Sequence, residues 1–315
     1  MEMPPPFPPH SKADWLAKVA QDLKGKPLDS LDFTLAGSSF SPFHHPEDQA
    51  TPPTPVPGMP TGHRLLGAYI DARADVERAN QLALDALNKG ADLLLFQVSS
   101  IELLSKKARR RLLEGVLTDL VSITFTEALF DFPAAPQMFM NLEGEYQHDG
   151  LAGDYGILLQ NANESIVEDQ QFATTFHVSS KENYLETVAT LRALRLCWWR
   201  ITEAYEKPSN CRIVAHVRHA EGTDANDNKI SAATQAMSAL AGGADGLVVY
   251  PSDGAAGTTL PRRVALNLQH ILEYEARMTD VPDPAAGSYF LENLTDHLAN
   301  TMWADFQTAL QNPKL

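Results

Sequence analysis

The 315-residue sequence predicts an α/β fold of the TIM type, an irregular (β/α)8 barrel with an extended, proline-rich N-terminal arm. Eight strand-like runs alternate with helical segments within residues 61–315, and eight parallel strands are the number that closes such a barrel. Hydrophobic residues make up 44% of the sequence, enough for a core of this size. An open doubly wound sheet is the alternative. No strand-like run is followed by the glycine-rich phosphate loop that such sheets often carry.

Residues 1–60 are predicted to be an extended arm with one short helix. Thirteen of the 21 prolines fall in this segment, and proline fixes φ and removes an amide donor. The helix is expected from Ser11, its N-cap, to Leu23, with Gly25 as the stop. Such an arm cannot bury a core by itself, so we expect its aromatic side chains to pack on the barrel or on another chain. A disordered tail is the competing interpretation.

The barrel elements follow in chain order. The predicted strands are Leu65–Ile70, Asp92–Val98, Val121–Thr126, Gln137–Leu142, Tyr155–Leu159, Phe172–Val178, Cys211–Val217 and Gly246–Tyr250. The predicted helices are Ala74–Asn88, Ile101–Leu117, Lys181–Tyr205, Asp227–Leu240, Arg262–Arg277 and Leu291–Leu310. The connections after the third and fourth strands are too short for full helices, which predicts an irregular barrel.

Charge and composition exclude several classes of function. The formal net charge of −15 opposes binding to nucleic acid, and the basic run from Lys106 to Arg111 is interpreted as a solvated helix face. No apolar run approaches the ~20 residues that span a bilayer, and the N-terminus does not read as a signal peptide. Cys197 and Cys211 lack the spacing of a metal or redox motif. We therefore expect a cytoplasmic protein with reduced thiols and no membrane contact.

Chemistry in a barrel enzyme takes place at the carboxyl ends of the strands. The polar residues at or just beyond these ends give the candidate pocket, which consists of Gln97, Glu143, His177, His216, Arg218 and His219. Neither H-E-x-x-H nor G-x-S-x-G occurs in the sequence, so no metal site is expected. The residues by themselves predict no catalytic set.

Several segments resemble one family when they are taken in order. They are Asp14-Trp15-Leu16, Asp22 to Lys26, Leu31 to Asp48, Leu191 to Trp198, Asn228 to Gly243, Arg263 to Glu275 and Asp283 to Thr295. The last segment, which starts Asp-Pro-Ala-Ala-Gly-Ser-Tyr, is long and specific. Together they resemble the methylmalonyl-CoA mutases. The resemblance implies a barrel that encloses an acyl-CoA and is capped by a cobalamin domain. It also implies a radical isomerase that interconverts methylmalonyl-CoA and succinyl-CoA.

The sequence departs from the catalytic members of this family. None of the ten histidines lies in the cobalt-ligating context D-x-H-x-x-G, and Gly62 to Gly67 replace the signature R-Q-Y-A-G-F. The family's Tyr-His pair corresponds to Phe176-His177, which makes His177 a vestigial catalytic candidate. The resemblance therefore predicts a trimmed chain that lacks a cobalamin domain and binds no cofactor itself.

The resemblance implies the small (beta, non-catalytic) subunit of a heteromeric methylmalonyl-CoA mutase, a heterodimer in which this chain stabilises a catalytic subunit. Adenosylcobalamin belongs to that partner, which we expect the arm to contact. A homodimer of the chain without its partner is an open alternative. One alternative is a minimal substrate barrel that works with a cobalamin domain on a separate chain. Another is a stand-alone acyl-CoA-binding barrel. An open pocket at His177 favours an enzyme, whereas bulky side chains on the barrel axis favour the non-catalytic subunit.

Overall fold

The computed structural model describes residues 10–48, 55–101, 104–127, 139–142, 146–150, 154–169, 172–219, 224–254 and 258–311. Its strands are β1 (Phe33–Leu35), β2 (Ser38–Phe40), β3 (Leu65–Asp71), β4 (Leu93–Val98), β5 (Ser122–Glu127), β6 (Phe139–Asn141), β7 (Tyr146–Gly150), β8 (Thr174–Ser179), β9 (Cys211–Val217) and β10 (Gly246–Val249). The first two form a hairpin in the arm. The others close a barrel in the order β10-β3-β4-β5-β6-β7-β8-β9, which confirms the predicted fold class.

Helices surround this barrel. They are α2 (Val76–Asn88), α3 (Lys106–Leu112), α4 (Tyr155–Asp169), α5 (Tyr184–Ala204), α6 (Ala225–Ala241), α7 (Thr259–His270) and α8 (Tyr289–Gln311), whereas α1 (Lys12–Leu23) lies in the arm. Ser11 caps α1 in a capping box with Asp14, as its position in the sequence predicts. Among the described residues, no helix is long and apolar enough to cross a membrane.

The barrel is irregular between its third and fifth strands. The strand β6 runs antiparallel to both β5 and β7, whereas the other neighbouring strands are parallel. The predicted strand Tyr155–Leu159 is wrong, because Tyr155 begins α4 and the barrel strand lies earlier, at β7. A short apolar run does not distinguish a buried strand from a buried helix. Here the buried positions recur at helical spacing through Ala162 and Ile166.

Alternate residues of each strand separate the two parts of the core. In β8, Phe176 lies outside the barrel and packs edge-on against Trp198 of α5, with ring centroids 5.6 Å apart. The next residue, His177, lies inside the barrel, where its ring stacks on that of Phe139. This alternation follows from the two-residue period of a strand. It therefore determines which side chains can meet on the barrel axis.

Buried arginines of α5 join distant parts of the chain. Arg192 pairs with Asp283 at 3.1 Å and with Glu292 of α8 at 3.0 Å, and it donates to Thr295 Oγ1 at 2.8 Å. One turn later, Arg195 donates to the carbonyls of Gly58, Cys211 and Gly243. These contacts connect the segment before β3, the strand β9 and the helix α8 to one central helix.

The hairpin of the arm packs on α8 of the same chain. The Phe40 ring lies 6.0 Å from that of Phe290 and 5.5 Å from that of His297. Ser38 Oγ is 3.0 Å from His297 Nε2. By contrast, α1 has no buried residue. The hairpin is therefore held by the barrel's last helix, while α1 is only partly covered, with Trp15 stacked on Phe43 of the arm.

Candidate functional site

The carboxyl-terminal half of the barrel interior is filled by six side chains from six strands or their ends. These residues, which we call the barrel plug, are Tyr69, Gln97, Phe139, His177, His216 and Tyr250. Each is at most 5% exposed. Five of them project from β3, β4, β6, β8 and β9, and Tyr250 directly follows β10. The plug lies where a barrel enzyme would open its active site.

A chain of hydrogen bonds crosses the barrel plug. The Tyr250 hydroxyl lies 2.9 Å from His216 Nδ1, and His216 Nε2 lies 2.9 Å from His177 Nδ1. His177 Nε2 lies 2.8 Å from Gln147 Oε1, which also accepts a hydrogen bond from Thr124. Because Gln147 Oε1 can only accept, His177 must donate to it through Nε2 and accept at Nδ1. His216 then donates to His177 through Nε2, and the Tyr250 hydroxyl donates to His216 Nδ1. All four ring nitrogens of the two histidines are thus engaged.

Aromatic packing closes the space around this chain. The Phe139 ring lies parallel to the His177 ring, 4.0 Å away, and the rings of Tyr69 and Tyr250 are 4.9 Å apart. The Tyr69 hydroxyl donates to Gln97 Oε1. Deeper in the barrel, the same core cluster continues through Leu93, Leu95, Val214 and Val248. At this level the barrel axis holds packed side chains rather than an open channel.

Burial sets the protonation states of the barrel plug. Desolvation lowers the pKa of His177 to about 3, with a smaller effect from His148, and it lowers the pKa of His216 well below 6.5. Desolvation also raises the pKa of the Tyr250 hydroxyl. The imidazoles are therefore neutral at pH 7. Neither can accept a proton or ligate a metal unless a buried hydrogen bond breaks.

Three of the six candidate pocket residues meet in the barrel plug, namely Gln97, His177 and His216. Two others lie at the exit of β9. Arg218 donates to Ser179 Oγ at 3.1 Å, and His219 Nε2 lies 2.9 Å from the Tyr250 carbonyl oxygen. Burial lowers the pKa of His219. The remaining candidate, Glu143, lies outside the described residues.

Sequence reasoning missed three side chains of this region: Tyr69, Phe139 and Gln147. Tyr69 and Phe139 lie in segments predicted as strands, so a two-residue alternation could have found them. Gln147 lies in β7, which was not predicted, and its polar sequence Tyr-Gln-His-Asp-Gly gives little strand signal. Across the described part of the chain, no three His, Cys, Asp or Glu side chains converge as a metal site.

Comparison with known proteins gives the family. A family model described as methylmalonyl-CoA mutase matches residues 160–311. These residues, just under half of the chain, match the methylmalonyl-CoA mutase family. The match includes β8 to β10 and helices α5 to α8, and hence both buried histidines and the Arg192 ion pairs. The predicted resemblance is confirmed.

Proteins similar to this chain include mutase small subunits. The methylmalonyl-CoA mutase small subunit of Porphyromonas gingivalis is 26% identical over 95% of this chain and 63% of the relative. The small subunit of Propionibacterium freudenreichii subsp. shermanii is 28% identical over 76% of this chain and 39% of the relative. A methylmalonyl-CoA mutase of Rhizobium meliloti is 35% identical over 44% of this chain and 20% of the relative. The chain thus spans less than two thirds of the length of these relatives.

Proposed function

We propose that this chain is the non-catalytic small subunit of a heteromeric methylmalonyl-CoA mutase. The names of its relatives support the family role, and the barrel plug supports the absence of catalysis. A substrate barrel needs an open path to the reacting atoms. Here aromatic and polar side chains fill the interior, and each of them is at most 5% exposed. In this proposal the radical isomerisation takes place on a partner chain, and this chain stabilises that partner.

The donor set of the barrel does not fit cobalamin. His177 and His216 are the histidines nearest to the carboxyl ends of the strands on the barrel axis, and each uses both ring nitrogens within the plug. A histidine that ligated cobalt would have to break one of these hydrogen bonds, and its former partner would remain buried without one. We therefore assign adenosylcobalamin to the catalytic partner.

The arm is the surface that we propose contacts the partner. Its helix α1 buries no residue on this chain, and the segment that follows exposes Leu28, Leu31 and Phe33. Exposed apolar side chains that lie next to one another mark interaction surfaces, whereas single exposed apolar side chains are common on any protein. The proposal places the complex in the cytoplasm, in keeping with Cys197 and Cys211, which are both free thiols.

Purification of the tagged full chain from its native source tests the proposal. We expect a larger mutase chain to co-purify in a 1:1 ratio, and the eluate to show mutase activity with added adenosylcobalamin. The double variant Leu28→Ser/Leu31→Ser should lose the partner. Its matched control is Leu117→Ser/Leu120→Ser, which changes exposed leucines outside the arm and should retain the partner. A chain that purifies without a mutase subunit, or as a homodimer that binds acyl-CoA, contradicts the proposal.

A second variant distinguishes the subunit from a minimal substrate barrel. We expect His177→Asn to leave kcat and KM of the purified complex unchanged while it lowers the urea midpoint of this chain, because the residue holds the barrel plug together. A loss of kcat in an intact complex would assign chemistry to His177 instead. Co-purification with a small cobalamin-domain protein would support the same conclusion.

A further inference from the structure

A cleft lies on the side of the barrel, between helices α2 and α7. It has a volume of about 440 Å³ and opens beside the carboxyl ends of β3 and β10. Its apolar surface comes from Ile70, Leu82 and Pro251. Its polar surface comes from two acidic, two basic and two hydroxyl side chains, which are Asp71, Asp75, Arg78, Arg262, Thr258 and Thr259. We call it the α2–α7 cleft. It is separate from the barrel plug, to which it is adjacent only through Tyr69.

Two arginines face the α2–α7 cleft without a carboxylate partner. Arg262 is partly buried and makes no side-chain hydrogen bond or ion pair with any residue that the structure describes. Arg78 contacts Gln81 Oε1 at 3.4 Å, which is a weak hydrogen bond. Partial burial lowers the pKa of Arg262, and the like charge of Arg78 lowers it further, while Asp253 and Asp85 act in the opposite direction. The two guanidinium groups therefore repel each other, and nearby carboxylates reduce this repulsion without removing it.

The nearby carboxylates relieve this repulsion only in part, because Asp85 and Asp253 raise the pKa of Arg262 but neither forms an ion pair with it. Asp71 pairs with Arg73 at 2.8 Å, and Asp85 pairs with Lys89 at 2.6 Å. Asp253 accepts hydrogen bonds from the Thr258 hydroxyl and amide at 2.6 and 2.8 Å. Asp75 caps α2 through the Arg78 amide at 2.8 Å. Within the described residues, no carboxylate forms an ion pair with Arg78 or Arg262, so both guanidinium groups can donate hydrogen bonds to an external anion.

The N-terminus of α7 adds a third favourable group to the same cleft. This helix of 12 residues begins at Thr259, directly on the cleft wall. A helix N-terminus carries a partial positive charge and amide donors that suit phosphate. The strand before it, β10, is the last of the barrel, and the loops after the last two strands of TIM barrels often hold phosphate groups.

We propose that the α2–α7 cleft binds an organic phosphate. Arg78 and Arg262 hold the phosphoryl group at the N-terminus of α7, and Ile70, Leu82 and Pro251 contact the apolar body of the ligand. Arginine suits this role because its planar guanidinium donates two parallel hydrogen bonds to phosphate oxygens. The proposal does not depend on the function proposed above, since the site needs neither the barrel axis nor a partner chain.

Calorimetric titration of the full chain tests the cleft with three probes: phenyl phosphate, inorganic phosphate and benzoate. We expect phenyl phosphate to bind most tightly, because it combines a dianion with an apolar ring. Arg262→Gln and Arg78→Gln should each weaken its binding by about tenfold or more. The control Arg110→Gln removes the same charge from an exposed position of α3 and should leave binding unchanged.

The outcomes separate the sources of the anion. Equal affinity for inorganic and phenyl phosphate would keep the phosphate site but assign it to the free anion and remove the role of the apolar wall. Benzoate binding as tightly as phenyl phosphate would overturn the proposal in favour of a carboxylate site. Absence of binding by every probe, or equal weakening by Arg110→Gln, would also overturn it. Urea midpoints of the variants show whether each one is folded.

Discussion

At the scale of single residues, the two histidines of the barrel plug couple folding to pH. His177 and His216 are neutral and hydrogen-bonded in the folded chain, whereas both can protonate in the unfolded chain. Burial lowers the pKa of His177 to about 3, and an unfolded histidine titrates near 6.5. Between these two values the unfolded chain binds more protons than the folded chain. Stability therefore falls as pH falls through this window.

We expect His177 to remove up to about 1.4 kcal/mol from the free energy of unfolding per unit decrease in pH within this window, and the lowered pKa of His216 adds to the loss. Urea unfolding at a series of pH values between about 6.5 and 4.5 measures the slope. His177→Gln should lower the slope by about one proton, because glutamine does not titrate. The control His10→Gln changes an exposed histidine and should leave the slope unchanged. An unaltered slope in His177→Gln would show that His177 protonates readily within the fold.

The sequence predicted part of this residue-scale arrangement. Gln97, His177 and His216 end predicted strands, so a barrel necessarily brings them toward one rim. Their role could not be predicted, because it depends on what fills the space between them. Phe139 lies in the short strand β6, and Gln147 lies in a polar segment without a strand pattern. Whether the rim is open or filled thus depends on the packing of side chains from different strands, which the pattern of residues along the chain does not reveal.

At the scale of secondary-structure elements, Arg192 joins α5 to α8. Its side chain is 1% exposed and its two carboxylate partners are largely buried. We expect Arg192→Met to lower the free energy of unfolding by about 3–5 kcal/mol, because it leaves Glu292 buried without a compensating charge. Urea unfolding at pH 7 measures the loss. The control Arg200→Met changes an exposed arginine of the same helix and should cost little.

A second substitution identifies the source of the loss. If it comes from the uncompensated carboxylate, Arg192→Met/Glu292→Gln should recover part of the stability, since it removes the buried charge. Additive losses in the double variant would instead show that the arginine stabilises through packing. Arg192 and Glu292 both lie in segments that carried the family resemblance. Their pairing therefore indicates that those motifs maintain the helix packing.

The element-scale predictions failed where the barrel departs from parallel alternation. Seven predicted barrel strands correspond to β3, β4, β5, β6, β8, β9 and β10, because each is a hydrophobic run flanked by turns or helices. The direction of β6, antiparallel to its neighbours, was not predicted. The run from Tyr155 was predicted as a strand because five residues are too few to reveal helical periodicity. The strand β7 was not predicted, because its polar residues give little strand signal and its pairing with neighbouring strands determines its conformation.

At the scale of the whole molecule, the barrel has two unequal sides. The strands β8 and β9 are paired at six positions, as are β4 and β5. By contrast, β6 is paired with β5 at three positions and with β7 at two. The small number of ladder hydrogen bonds at β6 leaves this side of the barrel with less to hold it closed. Closure of the barrel nevertheless depends on it.

We expect backbone amides of β6 and β7 to exchange with deuterium through local opening, at least about tenfold faster than those of β8 and β9, which should exchange only on global unfolding. Hydrogen-exchange mass spectrometry measures both sets in one experiment. Low urea concentrations should accelerate exchange in β8 and β9 and hardly affect β6 and β7, because local opening exposes little surface. Equal protection of all four strands would show instead that the barrel plug, through Phe139 and Gln147, makes the short strands part of the global cooperative unit.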